Sequence, residues 1–192
     1  ARTLPENSWE LVDGNIDPDW KQKLEQFCSL PQTLLLVTVM PGPQLAVAVP
    51  VCRALKRKNP QLIVLWGGYF PTVHPEVCAR DPGVDFVGIG QGEILLPAFL
   101  RAWQQKTSLK EVPGLAWWEG GQLVKNAPAP AIKSADFGKI PYAKVSYQSL
   151  HRLLGQWRYD ESPRCLEYTP KKEKRGLLTP FLLERTRRAK DS

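Results

Sequence analysis

The segment Thr33–Val39, TLLLVTV, is strand-length, nearly all apolar and rich in β-branched residues. Such a run has almost no polar alternation, so it reads as a strand buried on both faces, as in a parallel sheet between two layers of helices. Two similar runs follow, Leu62–Gly68 (LIVLWGG) and Val84–Glu93 (VDFVGIGQGE), and Ser8–Asn15 reads as a shorter strand entering a turn. Between them the spacing turns helical. Trp20, Leu24, Phe27 and Cys28 make one apolar face, opened by Asp17 as N-cap and Pro18 at the first helical position. Leu45, Val49, Cys52 and Leu55 make a second stripe, with Arg53, Lys56, Arg57 and Lys58 toward water and Pro50 as a kink or an N-terminal position. A loop and a short helix, Pro75–Arg80, precede the third strand, and ILLPAFLRAWQQKT forms the helix after it. The alternation predicts an α/β fold, a Rossmann-like or flavodoxin-like parallel sheet with helices on both faces. Its strands are expected near Glu10–Asp13, Thr33–Val39, Leu62–Trp66 and Phe86–Ile89.

The character changes after Ser108. PGLAWWEGGQLVKNAP reads as a β-hairpin with its turn at Glu119-Gly120-Gly121, and a proline-rich connector follows. The expected organisation is an α/β domain over 1–108, a hairpin and connector over 109–145, and an irregular basic tail over 146–192. Residues 1–145 carry 15 basic and 13 acidic side chains, whereas 146–192 carry 11 and 6, so most of the net +7 sits in the last quarter. Leu153, Leu154, Leu177, Leu178, Phe181, Leu182 and Leu183 are apolar within that basic setting. The tail is therefore expected outside the core, ordering against an acidic protein surface. Nucleic acid is a weaker partner, since no aromatic-interleaved basic patch occurs.

The longest apolar run, around Leu34–Met40, falls far short of the roughly 20 residues a membrane helix needs. Cys28, Cys52, Cys78 and Cys165 form no C-x-x-C pair and match no zinc spacing; Cys28 and Cys52 fall in apolar helical patterns as small core residues. A reducing, cytoplasmic location is the expectation.

In an open α/β sheet the ligand crevice lies outside the carboxyl ends of the strands. Three of those ends are unusual here: Met40–Gln44 (MPGPQ), Gly67-Gly68-Tyr69, and Gly90-Gln91-Gly92-Glu93. Glycines there let backbone approach a bulky ligand, and they also make ordinary tight turns, so glycine content alone leaves both readings open. The longer strings narrow the choice. The Met40–Gln44 turn, the Gly67-Gly68-Tyr69 end with Pro71, Thr72, Pro75 and Glu76, the G-x-G-E at Gly90–Glu93, the hairpin and the Ile140–Tyr142 connector occur in one order. Together they resemble the cobalamin-binding half of the cobalamin-dependent radical SAM enzymes, from about Trp9 to Val145. The resemblance implies cobalamin held by Met40, Pro41, Gly42, Pro43, Gln44, Gly67, Gly68, Tyr69, Gly90, Gln91, Gly92 and Glu93. Its nucleotide tail would run between the Met40–Gln44 and Gly67–Tyr69 loops toward Gly90–Glu93, with Gly68 replaceable only at the expense of the ligand and not of the fold.

Departures from that family shape the functional expectation. The C-x₃-C-x₂-C that holds an iron–sulfur cluster is absent; only Cys165 follows the connector. The family's domain usually begins with one more strand and helix, and only eight residues precede the first strand here. There is no D-x-H-x-x-G, and His74 and His151 are the sole histidines, so no histidine ligand to cobalt is implied. Neither a catalytic residue nor a metal ligand is assigned. The expected function is a cobalamin-binding module, stand-alone or accessory and not catalytic by itself. The alternative is a non-catalytic structural or interaction subunit derived from such a domain that no longer binds the cofactor; a radical SAM enzyme would need a second chain to carry the cluster. Among other single residues, His74 is expected as an exposed loop histidine and Asp13 as a turn residue. Glu93 serves equally as a ligand contact or as complement to a helix dipole. Trp117 and Trp118, adjacent on a strand, face opposite sides.

Overall fold

In the computed structural model, which describes residues 9–14, 17–132 and 180–185, the central strand β2 (Thr33–Thr38) buries Leu34, Leu35, Leu36 and Val37 in succession. Consecutive burial requires cover on both faces. Leu35 and Val37 pack in one core with Trp20, Leu24 and Cys28 of helix α1 (Trp20–Cys28) and with Cys52 and Leu55 of α2 (Pro43–Lys58). Leu34 and Leu36 pack in a second core with Leu95, Phe99 and Leu100 of α5 (Gly92–Gln105). Each such side chain withdrawn from water contributes roughly 1.5–3 kcal/mol, which fixes the register of the strand.

Strand β3 (Ile63–Gly67) runs parallel to β2, with Leu34 opposite Ile63 and Thr38 opposite Gly67. Strand β4 (Phe86–Gly88) runs parallel to β3, with Leu65 opposite Phe86. Asp85, just before β4, accepts hydrogen bonds from Lys56 Nζ at 2.8 Å and from the Val64 amide at 2.7 Å, tying α2 to the sheet. Helix α1 begins at Trp20 and not at Pro18, because the Asp17 carboxylate accepts the Asp19 amide at 3.1 Å and the Lys23 ammonium at 2.6 Å. Helix α2 takes Pro43 at its first position and carries the exposed Pro50 in its interior. The stretch after β3, expected as a loop, forms one turn of helix, α3 (Tyr69–Val73), before α4 (Pro75–Ala79).

The hairpin is part of this sheet. Strand β5 (Leu115–Glu119) pairs antiparallel with β4, and β6 (Gln122–Lys125) with β5, across a turn whose Gly120 and Gly121 have φ of 58° and 80°. Two successive positive φ values are those of the hairpin turn that matches strand twist. Trp117 and Trp118 do face opposite sides. Trp117 meets Phe86 edge-on at 6.5 Å in the α5-side core, and Arg80 lies 4.6 Å over the Trp118 ring on the other side.

The seven-stranded order is β1-β7-β2-β3-β4-β5-β6, where β1 is Trp9–Asp13 and β7 is Pro180–Arg185. The four expected strands run in one direction within a single sheet that carries helices on both faces, as expected; two details differ. The sheet is mixed and not wholly parallel: β1, β2, β3 and β4 point one way, but β1 meets β2 through the antiparallel β7. Part of the basic tail joins the sheet, since 180–185 pair between β1 and β2. An apolar Phe181-Leu182-Leu183 run suits a strand position between two neighbours better than a solvated tail, and Pro180 stands at the strand's first residue, where a missing N–H disturbs the ladder least. The rest of the tail, 146–179 and 186–192, lies outside the described residues, as do the Ile140–Tyr142 connector, His151 and Cys165.

Candidate strand-end binding site

Because β2, β3 and β4 are parallel neighbours, their carboxyl ends open side by side. A cleft of about 150 Å³ lies there on the α5 side, lined by Leu36, Val37, Thr38, Leu65, Gly67, Gly68, Gly88, Gly90, Gly92, Leu95 and Leu96. Its floor is apolar and its rim is glycine. The glycines are not filling a tight spot at the rim: a Cβ placed on Gly67, Gly90 or Gly92 would meet no atom within 4 Å. Missing side chains at three adjacent points leave a cradle into which a flat group can descend against backbone. Helix α5 begins at Gly92 with no side-chain cap on its first amides, an arrangement that receives phosphate or amide oxygens.

Two further residues hold the rim in shape. Gly68 has φ 98°, and a Cβ there would lie 3.1 Å from the Val39 carbonyl oxygen and 3.2 Å from the Thr38 methyl. Its glycine is therefore demanded by the fold, which corrects the expectation that a substitution at Gly68 would spare the fold. Thr72 is the second: its hydroxyl donates to the Gly68 carbonyl at 2.7 Å and accepts from the Gly90 amide at 3.1 Å. One side chain thus ties the β3 end to the β4 end.

Of the twelve residues assigned from sequence, the structure brings Gly67, Gly68, Gly90 and Gly92 onto the cleft. Met40, Pro41, Gly42, Pro43 and Gln44 stand beside it on the β2–α2 turn, where Gln44 Oε1 accepts the Met40 amide at 2.9 Å and Gly42 has φ 93° with open space around its Cβ position. Tyr69 is 61% exposed on α3. Gln91 Oε1 accepts the Ile132 amide at 2.9 Å, pinning the connector, and Glu93 is exposed in the first turn of α5. His74 is exposed, at the α3–α4 junction, with its ring 5.0 Å from that of Phe70. Leu36, Thr38, Leu65, Leu95 and Leu96 are not assigned to the site from sequence, and Thr72 is named there only within the motif after β3. Period-two alternation would have paired Leu36 with Thr38 and Leu65 with Gly67 on one face; nothing in the sequence marked Thr72 as a bridge.

The three cysteines among the described residues are buried thiols. Burial pushes the Cys28 and Cys52 thiols up to about 12 and Cys78 to about 11, so all three stay protonated at neutral pH. Cys52 Sγ accepts the Trp66 indole N–H at 3.4 Å inside the core. Among the described residues no group of His, Cys, Asp or Glu could hold a metal ion, and no helix is long and apolar enough to cross a membrane. A separate groove of about 410 Å³ runs between α1 and α2, past Trp20, Leu24, Val47 and Val51, away from the strand ends.

Comparison with known proteins shows the family of the chain. The B12-binding domain family matches residues 1–100. The anaerobic magnesium-protoporphyrin IX monomethyl ester cyclase of Synechocystis is 31% identical over 99 residues, half of this chain and 20% of the relative. An uncharacterised methyltransferase of Pyrococcus horikoshii is 32% identical over 95 residues, 49% of this chain and 21% of the relative. Among solved structures, the radical S-adenosylmethionine methyltransferase TsrM of Kitasatospora setae, with cobalamin and a [4Fe-4S] cluster bound, is similar at a TM-score of 0.48 and 21% identity, over 60% of this chain and 22% of that one. The radical enzyme OxsB, with aqua-cobalamin bound, is similar at 0.42 and 22%, over 50% and 14%. The chain thus spans about a fifth of the length of these two curated relatives. With a strand–helix alternation, a glycine-rimmed cleft at the strand ends and a family match over more than half its length, this chain belongs to the B12-binding domain family.

Proposed function

We propose that this chain binds cobalamin by lodging the nucleotide tail in the cleft between Leu36, Leu65 and Leu95, and that it acts as a binding module without chemistry of its own. The observation that carries the reading is the cradle at Gly67, Gly90 and Gly92, where open space replaces three side chains around an apolar floor. The leucines would enclose an aromatic base, the glycine backbone would approach it closely, and the α5 amides would take a phosphate or amide oxygen. Cobalamin would bring the cobalt-centred chemistry; this chain's residues would bind and orient it, with no histidine of the described residues reaching the cleft. Basic residues flanking β7, within the net +5 of 146–192, would meet an acidic protein partner.

The test is reconstitution of the purified chain with aqua-cobalamin, followed by desalting and a visible spectrum. The reading expects corrin absorbance near one equivalent, and a Gly92→Leu variant with an unchanged thermal transition and little retained colour. Gly92 is the chosen position because its backbone is ordinary for any residue and its surroundings are open. A colourless unmodified chain would instead favour the structural-subunit alternative.

A further inference from the structure

The β1–α1–β2 connection leaves one strand position open between two strands that point the same way. In a flavodoxin-like sheet that interior position belongs to a parallel strand of the domain itself. Here a segment from the far end of the chain takes it, running antiparallel to both neighbours. The pairing is complete along its length: Pro180–Glu184 face Asp13–Trp9, and Phe181–Arg185 face Val37–Thr33. Among the described residues β1 stands at the end of the sheet and pairs with β7, which joins it to β2. The apolar run Phe181-Leu182-Leu183 stands in register with Val37, Leu36 and Leu35, the residues of β2 that are buried on both faces.

We propose that the gap between β1 and β2 is a strand-binding groove whose ligand is the segment Pro180–Arg185, held in cis by its tether and exchangeable for the same segment supplied in trans. Recognition is main-chain pairing on two sides, with the apolar triplet setting which segment fits. Residues 126–179 separate β6 from β7 in sequence. A strand carried on the same chain competes as an intramolecular ligand, so a free strand enters only when the chain's own strand is disabled or greatly outnumbered.

The experiment uses the full chain and a fluorescein-labelled peptide spanning residues 178–188. Leu182→Pro in the chain removes a ladder N–H in mid-strand and disables the tethered strand. Peptide binding is followed by anisotropy, and amide exchange is followed at Trp9–Asp13 and Thr33–Thr38. The Leu182→Pro chain should bind the peptide at least tenfold more tightly than the unmodified chain. Without peptide its β1 and β2 amides should exchange faster while those of β3 hold, and peptide should restore their protection; a peptide that itself carries Leu182→Pro should do neither. If the variant chain does not fold alone, the unmodified peptide must restore its thermal transition. Equal β1 and β2 protection in variant and unmodified chains, or a variant that neither binds the peptide nor is rescued by it, overturns the proposal. None of these readouts involves cobalamin, so failure of the cobalamin reading leaves them intact.

Discussion

The Thr72 hydroxyl accepts the amide hydrogen of Gly90 at 3.1 Å, joining two strand-end loops that lie eighteen residues apart in sequence. That hydroxyl also donates to Gly68, so both loops depend on one side chain. Thr72→Val keeps the shape and removes both bonds. It should cost about 0.5–1.5 kcal/mol in urea unfolding, because the Gly68 carbonyl keeps only the Thr72 amide and the exposed Gly90 amide turns to water, and it should loosen the cleft rim. Thr72→Ser should restore most of that loss. Equal stability of the Val and Ser variants would mean the bridge contributes nothing.

Gly68 and Gly92 both line the cleft, but for different reasons. Gly68→Ala puts a Cβ 3.1 Å from the Val39 carbonyl at φ 98°, a conformation nearly reserved for glycine. The variant should lose at least about 1–3 kcal/mol of stability. Gly92→Ala meets open space at the start of a helix and should be neutral or slightly stabilising. Thermal melts of the two variants, compared directly, check the distinction.

Gly114 provides a second contrast, with Gly120. A Cβ on Gly114 would fall 2.6 Å from the Ile89 carbonyl oxygen at φ 75°, where the Ile89 amide also donates to the Gly114 carbonyl at 2.8 Å. A Cβ on Gly120, at φ 58°, meets nothing within 4 Å. Gly114→Ala should therefore separate β4 from β5 and destabilise severely, whereas Gly120→Ala should cost only the left-handed backbone penalty of roughly 1 kcal/mol. Comparable melting temperatures for the two variants would refute this difference.

The buried thiols make stability depend on alkaline pH. Burial raises Cys28 and Cys52 to about 12 and Cys78 to about 11 from an ordinary 9.0. Below pH 9 the thiols are neutral in both states and the fold keeps their full contribution. As pH rises from 9 toward 11 and 12, unfolded thiols ionise while folded ones resist, and stability falls by up to about 1.4 kcal/mol per thiol per pH unit. Urea unfolding between pH 8 and 10.5 should decline steeply, and a Cys28→Ala, Cys52→Ala, Cys78→Ala chain should decline less. Parallel curves would show that other groups carry the dependence.

Much of this protein was settled by its sequence. The unbroken apolar run at Leu34–Val37 dictates a strand covered on both sides, and the stripes through Leu24–Cys28 and Cys52–Leu55 dictate the helices that cover one of them. Because a parallel strand must be re-entered from the same end, the glycine-rich turns after β2, β3 and β4 were bound to gather at one edge, and Gly67, Gly68, Gly90 and Gly92 do. Periodicity and local chemistry act within a few residues, so they predict elements and ends well. What tertiary structure alone decided is pairing across long separations. Neither Thr72 as a bridge to Gly90 nor the seating of Pro180–Arg185 between β1 and β2 leaves a local signal. In a basic setting Phe181-Leu182-Leu183 reads as a tail with some apolar residues. It becomes a strand because an interior position, with backbone groups to satisfy on both sides and apolar neighbours in register, is present elsewhere in the fold.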